Sequence, residues 1–152
     1  MYDMGVYPLQ AARYCSGEEP IAVTARQSTS RIEIFKDADE TTTFDLEFAS
    51  GIKAHCETSL GMNMNSLRVT CEKGWYQLEP FQAPRGIRGS TSDGKTLNAS
   101  IDNQQAKQMD DDAFAIMHNQ PLLVPGEEGL RDIRVVEAVF SSAKTGRRIV
   151  IS

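Results

Sequence analysis

Apolar residues recur at helical spacing near the start of the chain. They lie three or four residues apart, at Tyr2, Val6, Leu9 and Ala12. We predict a helix that begins between Asp3 and Val6, because Pro8 costs a backbone hydrogen bond anywhere beyond the first turn. Asp3 is the expected N-cap of this helix, and Ser16-Gly17 is its expected end.

Alternation of apolar and polar residues predicts strands in the next part of the chain. The first strand covers Pro20–Ser28. Residues 44–48 and 52–56 form a β-hairpin around a short turn, and residues 67–72 and 75–78 form a second one. Each strand has an apolar side and a polar side, so we expect an antiparallel sheet with one face toward the core.

Two stretches lack a clear period. The spacing of residues 29–39 does not decide between helix, strand and loop. Residues 80–103 contain Gly86, Gly89 and Gly94 among polar residues, and they predict a long irregular excursion of the chain. A loop of this length is a functional segment or an oligomer arm, with a mobile surface loop as the alternative.

Helical spacing returns in the last third of the chain. Residues 104–119 carry one apolar stripe, made of Ala106, Met109, Ala113, Ile116 and Met117. A second stripe ends before Thr145-Gly146 and consists of Leu130, Ile133, Val136, Phe140 and Ala143. Residues 149–151 add a last strand. This order predicts an α+β fold, with an open, largely antiparallel β-sheet and helices packed on one face.

The charge balance narrows the possible partners. The 152 residues contain 16 Lys and Arg against 21 Asp and Glu, so no positive field attracts nucleic acid or anionic lipid. The chain has no run of about 18 apolar residues that could span a bilayer, and its first residues lack the basic start of a signal peptide. We therefore expect one soluble domain with neither a nucleic-acid nor a membrane partner. A cytoplasmic location is expected, and a periplasmic one stays open.

Most residues that could carry chemistry fit ordinary structural roles better. The cysteines have no CxxC spacing and are expected to be buried thiols: Cys15, Cys56 and Cys71. The carboxylates of residues 110–112 point about 100° apart on a helix and cannot converge on one ion. His55 and His118 have no further Cys or His at ligand spacing. No metal site is expected.

Asp3 and Tyr7 form the remaining pair of interest. They are four residues apart, which on a helix brings both side chains to one face. A carboxylate beside a phenol can orient a proton donor. The alternative, which the spacing alone favours, is that Asp3 caps the helix and Tyr7 packs in the core. The chain has no GxGxxG motif, so it should not bind a dinucleotide well by itself.

A set of motifs bears on the choice between the catalytic and the structural interpretation of Asp3 and Tyr7. In chain order these are Asp3-Met4-Gly5-Val6-Tyr7, Ala12-Arg13-Tyr14, Gly17-Glu18-Glu19-Pro20, and residues 48–52, 74–76, 125–132 and 145–148. Together they resemble the C-terminal domain of the glucose-fructose oxidoreductase family, also called Gfo/Idh/MocA. The resemblance runs from the first residues to the last.

The resemblance implies a two-domain NAD(P)-dependent oxidoreductase that acts on a sugar or polyol. Residues 1–152 would be its single C-terminal substrate-binding and oligomerisation domain. The N-terminal Rossmann domain of the family, and the Glu-Lys-Pro segment that brings a catalytic lysine, are absent from this sequence. NAD or NADP is therefore expected in the full-length protein, and no cofactor on this chain alone. We expect an excised domain, and a natural fragment is the alternative.

The resemblance also makes Asp3 and Tyr7 catalytic candidates. Asp3 matches the family's motif aspartate, and Tyr7 matches a position that is His in many members and Tyr in the glucose-fructose oxidoreductase branch. In the implied mechanism Tyr7 exchanges a proton with the sugar while hydride moves to or from the nicotinamide, and Asp3 orients the site. A phenol is a poor base at neutral pH, so the missing lysine is needed to favour the phenolate.

The expected partners are the Rossmann domain, a sugar or polyol, and a second copy of the chain. The second copy would bind the sheet face that bears Asp45, Glu47, Lys53, His55, Glu57 and Arg68. Charges of both signs allow a self-complementary contact there, and a solvated sheet face is the alternative. The competing function is a non-catalytic binding or assembly domain that retains the fold.

Overall fold

The computed structural model describes residues 1–84, 86–100 and 102–152. Its elements are α1 (Val6–Ser16), β1 (Pro20–Ser28), β2 (Thr41–Phe48), β3 (Lys53–Ser59), β4 (Leu67–Cys71), β5 (Gly74–Leu78), β6 (Ile87–Thr91), β7 (Thr96–Ala99), α2 (Gln104–Met117), α3 (Gly126–Thr145) and β8 (Ile149–Val150). The chain divides into two compact units. The first unit consists of residues 1–64 and 129–152, and the second of residues 65–128.

A four-stranded antiparallel sheet in the order β3-β2-β1-β8 forms the centre of the first unit. One face of this sheet carries the core: Val23 of β1 and Phe44 and Leu46 of β2 are completely buried. They belong to one apolar cluster with Leu9 of α1 and Val136 of α3. The alternation seen in the sequence therefore predicts the buried face of β2 correctly. In β1 the prediction is wrong at Ile21, which is exposed, and at Ala22, which is buried, because the strand register shifts between Pro20 and Ala22.

Helix α1 begins at Val6, within the predicted range. Its N-cap is Gly5, which makes no side-chain cap hydrogen bond, so the prediction that Asp3 is the N-cap is wrong. A start at Val6 places Pro8 in the first turn, where its missing N–H costs nothing, whereas a cap at Asp3 would place Pro8 beyond that turn. The predicted end is confirmed, because Gly17 closes the helix with a left-handed φ of 69°.

A second antiparallel sheet, in the order β4-β5-β6-β7, lies in the second unit. The α+β class and the antiparallel pairing are thus confirmed, while the two predicted hairpins belong to different sheets. The prediction of an irregular excursion over residues 80–103 is wrong, because β6 and β7 pair there around a turn at Gly94. Arg85 and Ile101, within that stretch, lie outside the described residues.

The pairing of β6 explains why the sequence hides this strand. A Cβ at Gly89 would lie 2.0 Å from the backbone oxygen of Gln77 on β5, so only glycine fits this close approach. Without a side chain at its centre, β6 shows no apolar alternation. Glycine at this position therefore predicts a loop where the structure has a strand.

Helix α2 is confirmed, but its apolar stripe is exposed, whereas an apolar stripe is expected to pack against the core. Met109 is 70% exposed, Ile116 73% and Met117 80%. The buried residue of α2 is Ala115, on the other side of the helix. A helical period gives the direction of the apolar stripe and does not determine whether that stripe is covered.

Helix α3 is also confirmed, with a buried face rotated from the predicted stripe. Leu130 and Ile133 are exposed, whereas Asp132 and Ser142 are buried. Both of these polar side chains have hydrogen-bond partners within the first unit. Such buried polar residues mislead a prediction based on hydropathy alone.

The cysteines form no disulfide with one another. Cys56 is buried as predicted, and its burial raises the pKa of the thiol to about 12. The prediction is wrong for Cys15 and Cys71, which are exposed near the ends of α1 and β4. In the described part of the chain, no helix is both long and apolar enough to cross a membrane.

Candidate functional site

Helix α1 presents Tyr7 to solvent on the side that faces away from the core. Leu9 and Ala12 are buried beneath the helix, while the Tyr7 side chain is 45% exposed. Tyr14 lies two turns further along the same face and is also exposed. The interpretation of Tyr7 as a core residue is therefore wrong, and its phenol is accessible to a ligand.

Asp3 is exposed and lies in the turn that precedes α1. Because it is not part of the helix, the four-residue spacing from Tyr7 does not by itself place both side chains on one helical face. Within residues 1–84, 86–100 and 102–152, neither the Asp3 carboxylate nor the Tyr7 hydroxyl has a hydrogen-bond partner. Both polar groups can therefore form a hydrogen bond with a bound molecule.

The backbone at the start of α1 is tightly packed around Gly5. The Gly5 N–H donates to the carbonyl of Met1 at 2.9 Å. A Cβ at Gly5 would lie 2.4 Å from the Met1 sulfur and 2.6 Å from its carbonyl oxygen. Glycine is thus required between Asp3 and Tyr7, which fixes how the chain enters the helix.

A buried ion pair joins α1 to α3 on the core side of the same helix. The Arg13 Nη1 donates to Asp132 Oδ1 at 2.6 Å, and Gln10 Nε2 donates to Asp132 Oδ2 at 2.7 Å. Arg13 also donates from Nε and Nη2 to the two carboxylate oxygens of Glu19, at 2.8 and 2.7 Å. Arg13 is 7% exposed and Asp132 3%.

The Arg13 guanidinium lowers the pKa of Glu19, first through its hydrogen bonds and also through its charge. Arg131 adds a weaker attraction from 3.8 Å. Sequence reasoning missed this cluster as a functional unit. Its members were nevertheless visible, because Arg13, Glu19 and Asp132 lie in three of the motifs that carry the family resemblance.

A second feature of the first unit is a groove of about 600 Å³. It lies at one end of the face of the first sheet that points away from the core, which we call the open sheet face. Hydroxyl and charged side chains line it, among them Arg26, Thr41, Thr43, Glu57 and Ser59. It is an open surface depression without an aromatic ring in its lining. The groove therefore offers polar contacts and little apolar enclosure.

Glu40 ties the loop beside this groove to the sheet. Its buried carboxylate accepts hydrogen bonds from the backbone N–H of Ser30 at 2.6 Å and of Arg31 at 2.9 Å, and from Arg31 Nε at 2.7 Å. These bonds lower the pKa of Glu40 to about 2, with the Arg31 backbone as the largest cause. The carboxylate thus has a structural role.

The open sheet face carries paired charges. His55 Nδ1 lies 2.6 Å from Asp45 Oδ1, and Arg148 donates to both oxygens of Glu47 at 2.9 Å. The inclusion of Arg68 in this face is wrong, because Arg68 lies on β4 in the second sheet, where it stacks on Trp75.

The remaining candidates keep structural roles. Asp111 pairs with Lys107 along the exposed side of α2. His118 follows α2 and stacks on Phe114, with ring centroids 4.0 Å apart. The described residues contain no group of three or more His, Cys, Asp or Glu side chains arranged to hold a metal ion.

The described residues do not fit the phosphates of NAD(P). A dinucleotide site of the Rossmann type needs parallel strands and a glycine-rich turn before a helix, whereas the strands described here pair antiparallel. Glu127 and Glu128 occupy the first turn of α3, where they would repel a pyrophosphate. At α2, the Asn103 side chain already caps the N–H of Ala106.

Comparison with known proteins gives a consistent result. Residues 1–77 match the model of the GFO/IDH/MocA C-terminal domain. The chain is 26% identical over 148 residues to D-xylose 1-dehydrogenase (NADP(+)) from Haloarcula marismortui, a match that covers 94% of this chain and 41% of the relative.

Solved structures show the same fold. Aldose-aldose oxidoreductase from Caulobacter crescentus, crystallised with glycerol, is 34% identical with a TM-score of 0.90, over 98% of this chain and 46% of that one. Myo-inositol 2-dehydrogenase from Lactobacillus plantarum is 16% identical with a TM-score of 0.75, over 99% and 48%, which is a likeness in fold. The chain spans less than half the length of these relatives.

Proposed function

Because this chain belongs to the GFO/IDH/MocA C-terminal domain family, we propose that it is the substrate-binding half of an oxidoreductase. The whole enzyme would transfer hydride between NAD or NADP and a sugar or polyol. The observation that carries this proposal is the exposed phenol of Tyr7, in a fold that matches an aldose-aldose oxidoreductase along nearly its whole length.

Tyr7 is proposed to exchange a proton with a substrate hydroxyl or carbonyl oxygen. Its hydroxyl projects from a helix whose other side is anchored in the core, so it can meet a substrate without a change in the fold. Asp3 is proposed to accept a hydrogen bond from a neighbouring substrate hydroxyl and so to orient the sugar. The ammonium that favours the Tyr7 phenolate would come from the cofactor-binding domain.

That cofactor-binding domain is proposed to be a separate Rossmann domain of the same protein. Two observations support it: the described residues do not fit NAD(P), and the relatives are about twice as long as this chain. The isolated chain is therefore expected to fold and to be inactive.

We assay the full-length protein with NAD and with NADP on D-xylose, a second aldose and myo-inositol, by the absorbance of reduced nicotinamide. Turnover with at least one pair is expected, while calorimetry on residues 1–152 detects no binding of NADH or NADPH. Micromolar binding to the isolated chain would contradict the assignment of the cofactor to another domain. Absence of turnover on every pair would favour a non-catalytic assembly domain.

The open face of the first sheet is proposed to bind a second copy of the chain. Asp45, Glu47, Lys53, His55 and Glu57 place charges of both signs on this face, which permits a two-fold self-complementary contact. In sedimentation equilibrium, we expect a dimer that Thr43→Arg on this face weakens and Thr70→Arg on the second sheet leaves intact. A monomer at high concentration would refute this part of the proposal.

A further inference from the structure

The buried Arg13–Asp132 pair lies beneath the helix that carries Tyr7. We propose that Asp132, together with Arg13, is a positioning residue that sets the rotation of α1 about its axis and so the direction of the Tyr7 phenol. The consequence for catalysis rests on the proposed function, whereas the effect on the orientation of Tyr7 does not.

The carboxylate of Asp132 restrains α1 at two points. It accepts one hydrogen bond from Gln10 and one from Arg13, each through a different oxygen. These two residues are one turn apart, about 4.5 Å along the helix axis. A rotation by one residue, about 100°, or a shift along the axis would break both bonds.

Apolar packing alone does not give this restraint. Leu9 and Ala12 are the buried apolar residues of α1, and the hydrophobic contacts they make are not directional. Arg13 adds a second fixed point, because Glu19 holds the opposite edge of its guanidinium through two bonds. The planar group is thus bonded on two sides to residues outside α1.

Tyr7 is directly coupled to this restraint through the helix. It lies three residues before Gln10, so the two side chains belong to adjacent turns of the same rigid element. The start of α1 has no side-chain cap, and its contacts there include the Gly5 N–H bond to the Met1 carbonyl and the Cys56 Sγ bond to the Pro8 carbonyl at 3.7 Å. The two bonds to Asp132 restrain rotation through side chains of α1 itself, from the turn that follows Tyr7.

Replacing the Arg13–Asp132 pair with apolar residues tests the orientation of Tyr7 separately from the stability of the fold. Buried ion pairs add little net stability relative to well-packed apolar residues, so replacing both partners can leave a protein folded. Arg13→Met with Asp132→Leu removes the directional bonds and keeps the volume nearly unchanged. The control is Lys107→Met with Asp111→Leu, which removes an ion pair that does not involve α1 or the open sheet face.

The experiment labels the 152-residue chain with 3-fluorotyrosine and records ¹⁹F spectra below the thermal midpoint. Single Tyr→Phe variants assign the four resonances of Tyr2, Tyr7, Tyr14 and Tyr76. In Arg13→Met/Asp132→Leu, we expect the Tyr7 resonance to move by more than its linewidth or to split, with Tyr76 unchanged. The control variant should keep the parental Tyr7 resonance.

A Tyr7 resonance that stays in place after loss of both bonds would overturn the proposal, since a purely stabilising pair changes only the melting temperature. Should the double variant not fold, Asp132→Leu alone takes its place, because it removes both bonds to Asp132 while Arg13 keeps its two bonds to Glu19. The same two outcomes then apply.

The full-length enzyme adds a kinetic readout. There the double variant should lower kcat by about 10²-fold with KM nearly unchanged, as a small misplacement of a reacting group does. A parental kcat would also count against the positioning role. If the parent enzyme has no turnover, the proposed function fails and the ¹⁹F spectra still decide the orientation of Tyr7.

Discussion

Ser142 joins α3 to the first sheet through one buried hydroxyl. Its Oγ donates to the carbonyl of Arg147 at 2.6 Å and accepts from the backbone N–H of Ala25 at 2.9 Å. The second bond satisfies an N–H of β1. A buried donor left without a partner costs more than a typical hydrogen bond contributes.

We therefore expect Ser142→Ala to lower the free energy of unfolding by about 1–3 kcal/mol. The neighbouring Ser141 is exposed, so Ser141→Ala should change it by less than about 0.5 kcal/mol. Denaturant unfolding of the two variants measures the difference. Equal effects would show that the Ser142 hydroxyl does not support β1.

Glu40 gives the stability of the first unit a defined pH dependence. Its pKa is about 2 in the folded chain, below the value near 4.3 of an unfolded glutamate. The native state therefore binds the proton less readily than the unfolded state, and the stability gained from Glu40 is present above pH 5. It is lost as the pH falls toward 2.

Glu40→Gln should lower stability at pH 7 and flatten the decline between pH 5 and pH 2. Denaturant midpoints across this range test the expectation, with Glu57→Gln on the open sheet face as the control that keeps the parental slope. A parental slope in Glu40→Gln would mean that another group governs the acid response.

At the scale of elements, α2 shows how far a pattern can predict structure. The spacing of its apolar residues predicts the helix, because propensity and period are local properties. Burial of the stripe depends on what lies beside it, which the sequence of the helix does not contain. Similarly, the polar residues Asp132 and Ser142 of α3 are buried because distant partners satisfy them.

Because the apolar stripe of α2 is exposed, substitutions in it should have little effect on the free energy of unfolding. Met109→Ser with Ile116→Ser should change the free energy of unfolding by less than about 1 kcal/mol, as exposed substitutions do. The matched pair Val136→Ser with Val139→Ser, in the buried face of α3, should prevent folding or cost several kcal/mol. A large loss in the α2 variant would show that its stripe is covered.

For the whole molecule, the sequence could predict the class of fold and the helix that carries the candidate site. Alternation and helical spacing predicted α1, β1 and both early hairpins, since these elements depend on local patterns. The division into two sheets could not be predicted, because the alternation within each hairpin is the same whether or not β3 and β4 pair. Likewise the Arg13–Asp132 pair spans 119 residues, and nothing local specifies it.

The chemistry proposed for the site depends on groups outside this chain. Tyr7 lies on a helix of this chain, while the proposed cofactor and ammonium come from another domain. Removal of the Tyr7 hydroxyl should therefore affect turnover without affecting the fold, because the exposed phenol makes no hydrogen bond within the described residues. The aromatic ring stays in place in Tyr7→Phe.

Steady-state kinetics of full-length Tyr7→Phe on its sugar substrate test the central claim most directly. We expect kcat to fall by about 10²–10⁴, the usual contribution of a proton-transfer group, with an unchanged melting temperature. Tyr14→Phe, on the same face of α1, should retain parental kinetics. A kcat for Tyr7→Phe within about threefold of the parent would remove Tyr7 from the mechanism and contradict the account.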